Sequence, residues 1–314
     1  MSGKMLYVIA GPTASGKTAV AITLARMVNG EVINADSMQV YKGMDIGTAK
    51  PTTEERGGIP HHLLDAVNPD EPFSAAQYQR LAKAAIEDIR KRGRVPILVG
   101  GTGFYINATV YDTDFSREDG DSAALREYYA ALAVEKSAYH IHKLLADRDP
   151  QSAAIIHPCN IKRVARALAF CEGTGTLFSS HNENQREKKA RVTLPEGIRF
   201  IVLDIPRSLL YDRINRRVRV MFDTGLEGEV AGLLAAGYSR DLPSMQGIGY
   251  KETVEYITNG AKSDDRVSCM ESIAQNTRRY AKRQLTWFRH NAPHAEWLNA
   301  EDGAETVARQ IMKG

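Results

Sequence analysis

Apolar residues in the first hundred positions gather in short runs. Leu6 to Ala10, residues 31–35 (Glu-Val-Ile-Asn-Ala) and Val95 to Val99 each read as one strand. Val95 to Val99 is apolar throughout, as in strands covered on both faces. Helical spacing follows the first run over 19–28. It returns over 74–92, where Ala76, Leu81, Ala84, Ala85 and Ile89 share a face. Ser74 is placed to cap that helix and Gly93 to stop it. Residues 60–65, Pro-His-His-Leu-Leu-Asp, read as a short buried edge segment. Adjacent histidines in a strand point to opposite sides, which argues against a shared metal. From 106 to 198 the strand–helix alternation stops. Helices are predicted around 122–134, 137–147, 151–156 and 160–172, with a polar stretch at 179–191. Phe200 to Ile205 resumes the sheet and a helix follows over 207–222. Further helices are expected over 223–237 and 272–295, and the tail 296–314 reads as a short terminal helix. The pattern predicts an α/β fold: a parallel sheet flanked by helices, with a mostly helical insertion; the G-x-x-x-x-G-K-[ST] run Gly11–Thr18 after the first strand makes that sheet P-loop NTPase-like. The core takes 1–115 plus 196–314, and the insertion 116–195.

Composition narrows the class. The chain has 314 residues, 43% hydrophobic and 25% charged, with a net charge of +3. That suits one large or two ordinary domains with real cores and not a disordered chain. No stretch approaches 18 consecutive apolar residues, so no membrane span is expected. Met1 to Met5 lacks an apolar signal core. The three cysteines, Cys159, Cys171 and Cys269, have no C-x-x-C spacing. They argue for a reducing compartment and against a disulfide framework or structural zinc. Charge is uneven. Residues 1–120 carry 13 Lys and Arg against 14 Asp and Glu, whereas 160–220 carry 13 against 6, a net +7. A solvated helical surface accounts for such an excess, and so does a polyanionic partner.

The chemistry centres on Gly11, Pro12, Thr13, Ala14, Ser15, Gly16, Lys17 and Thr18, the pattern G-x-x-x-x-G-K-[ST] between a strand and a helix. Glycines let the backbone curl so that several N–H groups converge on one anion, and the following helix adds its positive end. Lys17 would reach the outer phosphate oxygens and the Thr18 hydroxyl a Mg²⁺ ion. The loop implies a di- or triphosphate without saying which. Asp36, just past the second strand, is placed for a base, a metal partner or a turn. Residues 43–51, with Lys50, form a glycine-punctuated loop. Gly100-Gly101-Thr102-Gly103 stands where P-loop enzymes often place a metal-binding aspartate; it offers close backbone approach and a hydroxyl, or a tight turn. Helix 207–222 carries five arginines. Gln246-Gly247-Ile248-Gly249-Tyr250-Lys251 is a glycine-rich turn with an aromatic and a cation. In 272–295 Arg278, Arg279, Lys282, Arg283 and Arg289 cover one arc, and Ile273, Tyr280, Trp287 and Phe288 the other, as core. On these residues alone, a nucleotide or small-molecule kinase and a non-catalytic RNA-binding NTPase remain open.

Seven motifs in order narrow the choice: the Gly11–Thr18 loop, Asp36-Ser37-Met38-Gln39-Val-Tyr-Lys, Asp45-Ile-Gly-Thr-Ala-Lys50-Pro, Pro60-His-His-Leu, Gly100-Gly-Thr102-Gly-Phe-Tyr105, Gly247-Ile-Gly-Tyr250-Lys251 and the run from Thr277 to Arg289. Together, over about residues 5–290, the chain resembles bacterial tRNA dimethylallyltransferases. The resemblance implies transfer of a dimethylallyl group from dimethylallyl diphosphate to N6 of adenosine 37 in tRNA. It makes Asp36 the proton acceptor and places Thr102 beside the reacting amine. It puts Ser37 and Gln39 against the target base, with Met38 in the same run. Lys17, Lys50 and Arg217, with Mg²⁺ on Thr18, would take the charge of the leaving diphosphate; Arg216 and Arg219 lie too close to Arg217 for sequence to choose among them. Asn160, Ile161, Lys162, Arg163 and Val164, and residues 246–251, match segments that contact the tRNA anticodon stem-loop. The resemblance further implies a cytoplasmic monomer.

Overall fold

The computed structural model describes residues 5–113, 121–183 and 193–313. They fall into two compact units. One comprises Met1–Asp112 with Leu194–Gly314, the other Thr113–Thr193. The expected polar stretch 179–191 lies outside the described residues from 184 on.

The first unit is built on a six-stranded sheet in the order β3-β2-β4-β1-β5-β6. The strands are β1 (Leu6–Ala10), β2 (Gly30–Asn34), β3 (His61–His62), β4 (Val95–Gly100), β5 (Ile198–Asp204) and β6 (Glu296–Asn299). Every pairing is parallel. β1 lies between β4 and β5, and its neighbours explain its apolar run. Ile9 packs with Val20, Leu24, Ile214 and Ile311 on one face, while Val8 and Ala10 pack with Tyr78, Ile86, Ile106 and Phe288 on the other. Alternate residues of one strand thus serve two cores. The first face is covered by α1 (Lys17–Val28), with helix α13 (Ala304–Lys313) behind it. The second is covered by α3 (Ala75–Lys91) and α4 (Gly103–Val110). Ser74 caps α3 in a capping box with Gln77, and Gly93 follows that helix at φ +71°.

A third apolar cluster lies under the loop after β2. There Val40 and Met44 meet α9 (Arg207–Asp223), α10 (Leu226–Ala235), α11 (Tyr250–Thr258) and the long α12 (Ser263–Asn291). The short α2 (Thr53–Arg56) lies further along that loop. The second unit is helical: α5 (Asp121–Glu135), α6 (Ala138–Arg148), α7 (Pro150–Ile155) and α8 (Ile161–Thr174) enclose Ile141, Leu145, Val164 and Leu168.

Three expectations change. The tail is not a helix alone, because Glu296–Asn299 pairs with β5 as a sixth strand before α13. α12 begins at Ser263, nine residues earlier than the pattern suggested. The helix expected over 223–237 covers only Leu226–Ala235, held off from α9 by Gly225 at φ +101°. The paired histidines do part company: His61 Nδ1 lies 2.8 Å from Ile59 O, and His62 Nε2 lies 2.6 Å from Glu31 Oε2.

Candidate active site

The Gly11–Thr18 loop leaves the carboxyl end of β1 and enters α1. Gly11 has φ +146°, and a Cβ there would stand 2.9 Å from Leu203 O, so the loop lies against β5 as only glycine allows. Gly16, at φ +91°, turns the chain into α1. Ser15 is buried, and its hydroxyl has no hydrogen-bond partner in the structure. An unmatched buried hydroxyl in a loop of N–H donors is a group suited to a ligand oxygen. Lys17 is half-buried overall, with its ammonium turned inward to donate to Pro12 O at 2.6 Å. Burial lowers its pKa from 10.5 to about 7, opposed by the Asp36 charge and aided by Arg217. Thr18, also half-buried, follows on the first turn of α1.

The loop's far wall comes from α9. Arg216 and Arg219 are exposed, whereas Arg217 turns in and donates to Thr13 Oγ1 at 3.1 Å. Burial lowers the pKa of Arg217, while the charges of Asp36 and Glu55 hold it up. Of the three clustered arginines, Arg217 reaches the loop. Arg213, one turn earlier, has its guanidinium 3.7 Å from where a Cβ on Gly16 would sit.

Asp36 stands just past β2. Its backbone N–H donates to Asn34 Oδ1 at 3.0 Å, and its Oδ1 accepts from Met38 N at 2.9 Å. Its charge reaches Lys17 and Arg217, and also the buried tyrosines behind it. Tyr78 stacks on Tyr105 at 4.1 Å, and burial with the nearby Asp36 charge raises both phenols. Thr102 Oγ1 accepts from Ser37 N at 3.0 Å and donates to Ser37 Oγ at 3.2 Å. The ends of β2 and β4 therefore hold Asp36, Ser37 and Thr102 together, facing the cations of the loop. Gly100 permits this, since a Cβ there would fall 2.1 Å from Ala35 O.

α12 closes the site. Gln284 accepts from Thr13 N at 2.8 Å and donates to Gly101 O at 3.0 Å. Tyr280, half-buried one turn earlier, has its phenol raised by burial and the Asp36 charge, with Thr102 and Gln284 as hydrogen-bonding neighbours. A separate cavity of about 650 Å³ opens beyond β5 and β6, lined by Arg207, Tyr211, Lys282, Arg289 and Trp297 among others; no residue of the 11–18 loop lines it.

Other expected site residues lie apart or are already engaged. Lys50 is buried and donates to Tyr41 O, Asp45 Oδ1 and Asp65 Oδ1 at 2.8, 2.5 and 2.6 Å. Those bonds use all three hydrogens of its ammonium, so it braces the 41–65 loop and has no donor left for a diphosphate. Gln39 gives both amide hydrogens to Thr48 O and Ala49 O, leaving Oε1 for a base. Tyr250 is fully buried and donates to Glu229 Oε1 at 2.6 Å, so its ring offers no stacking face. In the same turn Gln246 and Lys251 are exposed, Ile248 is half-buried, and Gly249, at φ +97°, starts α11. Gly247 lies beneath Met38, whose Cε is 2.4 Å from where a Cβ would be; this joins the 246–251 turn to the Asp36 loop. In the second unit Asn160 caps α8, Lys162 and Arg163 are exposed, Ile161 is half-buried and Val164 is core.

The family model described as IPP transferase matches residues 39–291. The chain belongs to the IPP transferase family. A Bacillus cereus (strain AH187) protein named tRNA dimethylallyltransferase is 47% identical over 302 residues, covering 95% of this chain and 91% of that one. A Bacillus anthracis protein of the same name is 46% identical over 309 residues, covering 98% and 94%. Among solved structures, a tRNA delta(2)-isopentenylpyrophosphate transferase from Staphylococcus epidermidis is 42% identical with a TM-score of 0.69, covering 98% and 97%. A eukaryotic dimethylallyltransferase acting on tRNA is 30% identical with a TM-score of 0.79, covering 98% of this chain and 77% of its own. None of these relatives is named a kinase, and the kinase alternative is dropped. For an IPP transferase, the sequence reading missed Arg213, Tyr280 and Gln284. Their signal was spacing: Arg213 stands four before Arg217 and Tyr280 four before Gln284, so each pair shares a helix face.

Proposed function

We propose that this protein transfers a dimethylallyl group from dimethylallyl diphosphate to N6 of adenosine 37 in a tRNA anticodon stem-loop, releasing diphosphate. The observation that carries this reading is a carboxylate, Asp36, at the end of β2, whose charge acts on two half-buried basic side chains: Lys17 of the loop, and Arg217, which is hydrogen-bonded to Thr13 of the loop. A phosphate loop alone suits many reactions. The carboxylate adds a proton acceptor on the acceptor side.

The bond between the allylic carbon and the diphosphate oxygen breaks, and negative charge collects on the leaving group. Lys17, Arg217, the loop N–H groups and the unmatched Ser15 hydroxyl would take up that charge. A Mg²⁺ ion, for which Thr18 is the protein ligand expected, would supply further positive charge there. One hydroxyl with phosphate oxygens and water suits this hard cation. The N6 lone pair attacks the allylic carbon, and the new C–N bond makes N6 acidic. Asp36 takes that proton, with Oδ1 already held by Met38 N–H. Adenine must leave the anticodon stack to reach the site. Ser37, Thr102 and the Gln39 carbonyl oxygen would meet its edge. The exposed Lys162 and Arg163, with Gln246 and Lys251, offer donors and charge to RNA phosphates. The reading carries with it a monomer acting in the cytoplasm. No helix among the described residues is long and apolar enough to cross a membrane.

The test mixes protein, Mg²⁺, labelled dimethylallyl diphosphate and unmodified tRNA, and follows label into RNA. Transfer is expected with adenosine 37 and not with a guanosine 37 variant. Asp36→Asn is expected to lose roughly 10²–10⁴-fold in kcat while still binding tRNA. No label in any tRNA carrying adenosine 37 overturns the proposal.

A further inference from the structure

We propose that Gln284 is a positioning residue for this transfer: its side-chain amide ties the diphosphate loop to the loop bearing Thr102 and so fixes the gap between donor and acceptor. The inference rests on the reaction proposed above.

Gln284 is 5% exposed and far in sequence from both its partners. Its oxygen accepts from Thr13 N at 2.8 Å, and its nitrogen donates to Gly101 O at 3.0 Å. One planar amide thus spans the carboxyl ends of β1 and β4. Each partner leads directly to reacting groups. Thr13 also receives Arg217 through its hydroxyl, and it lies in the loop that would hold the diphosphate. Gly101 precedes Thr102, which holds Ser37 N next to Asp36. The series Arg217, Thr13, Gln284, Gly101, Thr102, Ser37 runs from the leaving-group side to the proton acceptor, and Gln284 alone in it comes from α12.

The glycines of this segment fit that role. A Cβ on Gly101 would lie 2.1 Å from Gln284 Nε2, and one on Gly103 would lie 2.1 Å from Trp287 Cε3. They let α12 press its Gln284 and Trp287 onto the 101–103 backbone. A reaction between two separately bound substrates is sensitive to such spacing, since an ångström of misplacement costs about 10²-fold. Glutamine is also the side chain the geometry selects. The site needs an acceptor for Thr13 N–H and a donor for Gly101 O in one plane. Glutamate supplies only the first.

The experiment compares Gln284→Ala, Gln284→Glu, Gly101→Ala and the Gln284→Ala/Gly101→Ala double variant in full-length protein. Turnover is normalised to the folded fraction, and inorganic diphosphate binding is measured alongside. Gln284→Ala is expected to lose about 10–100-fold in kcat with KM for both substrates within about threefold. Gln284→Glu should lose kcat at least as far, because its carboxylate keeps the acceptor for Thr13 but turns an acceptor onto Gly101 O, and its charge should also weaken diphosphate binding, which Gln284→Ala leaves within about threefold. Gly101→Ala should lose kcat alone, and the double variant should be no worse than Gln284→Ala, since the methyl then meets no amide. Wild-type kcat in folded Gln284→Ala or Gln284→Glu, or losses that multiply in the double variant, overturns the inference. Wild-type transfer beside an unaffected variant removes Gln284 alone. No transfer by the wild type removes the reaction itself and this inference with it.

Discussion

Lys17 shows what the site costs the fold. Its ammonium is enclosed beside Arg217, with Asp36 as partial compensation, and its pKa falls to about 7. An unfolded lysine titrates near 10.4. Between those values the folded chain binds fewer protons than the unfolded one, so this residue's penalty is full below about pH 7 and lessens as pH rises above it. Lys17→Met should therefore stabilise the ligand-free protein by ~1–2 kcal/mol at pH 6, with a smaller gain at pH 9, and abolish diphosphate binding. Thermal melts at the two pH values check the first part. Binding of dimethylallyl diphosphate at pH 8 should draw in about one proton, because the charged lysine is the form that binds. Calorimetry in buffers of different ionisation enthalpy measures it, and no uptake would remove Lys17 as the titrating group. At this scale the sequence was informative where the motif was contiguous, as in Gly11 to Thr18. It was silent where a role depends on which partners the fold supplies: Lys50 is taken up by Asp45 and Asp65 within its own loop, and Gln284 meets Thr13 and Gly101 from 271 and 183 positions away.

Elements were legible in proportion to the periodicity they keep. β1, β4 and β5 are buried on both sides and gave unbroken apolar runs. α3 keeps one polar face and a capping box, and its limits were readable to within a residue or two. α4 is buried almost all round, so it shows no face to detect. β6 is four residues at the sheet edge with no buried residue, and nothing in Glu-Trp-Leu-Asn distinguishes it locally. Loop order has its own element-scale cause. Glu229 on α10 accepts from the backbone N–H groups of Asp45, Ile46 and Gly47 at 2.8, 2.7 and 3.1 Å, and from Tyr250 OH. It is the acceptor that shapes the 43–50 loop and seats α11 against it. Glu229→Ala leaves those donors unmatched and should destabilise the protein by about 2–3 kcal/mol. Glu229→Gln keeps an acceptor and should cost less. Denaturant melts of the two variants check the order, and equal losses would show that charge or packing, and not the accepted hydrogen bonds, is what matters.

At the scale of the molecule, the proposed function divides chemistry and RNA contact between two units with separate cores. The first holds the loop, Asp36, Thr102, Arg217 and Gln284; the second holds residues 160–164 on α8. The strand–helix alternation of the sequence stops over the second unit, because its described elements are helices and break a rhythm that the sheet imposes. The second unit has its own buried hub. Asp149 is 0% exposed and accepts from Ser152 N at 3.1 Å, Ser152 Oγ at 2.7 Å and Ser179 N at 2.8 Å. Burial alone would raise its pKa, but these hydrogen bonds outweigh it and the pKa is lowered. The stabilisation is therefore present above the unfolded carboxylate value and is lost as pH falls through the folded one. Asp149→Ala removes one acceptor from three donors and should cost the second unit about 2–4 kcal/mol. The hub's described bonds join residues 149, 152 and 179 of the second unit, so local opening should stay local. Hydrogen exchange should quicken over 138–174 and remain unchanged over 5–28, diphosphate affinity should hold, and transfer to tRNA should fall. If exchange quickens equally in both segments, the two cores unfold as one body, and the division of labour between them does not extend to their stability.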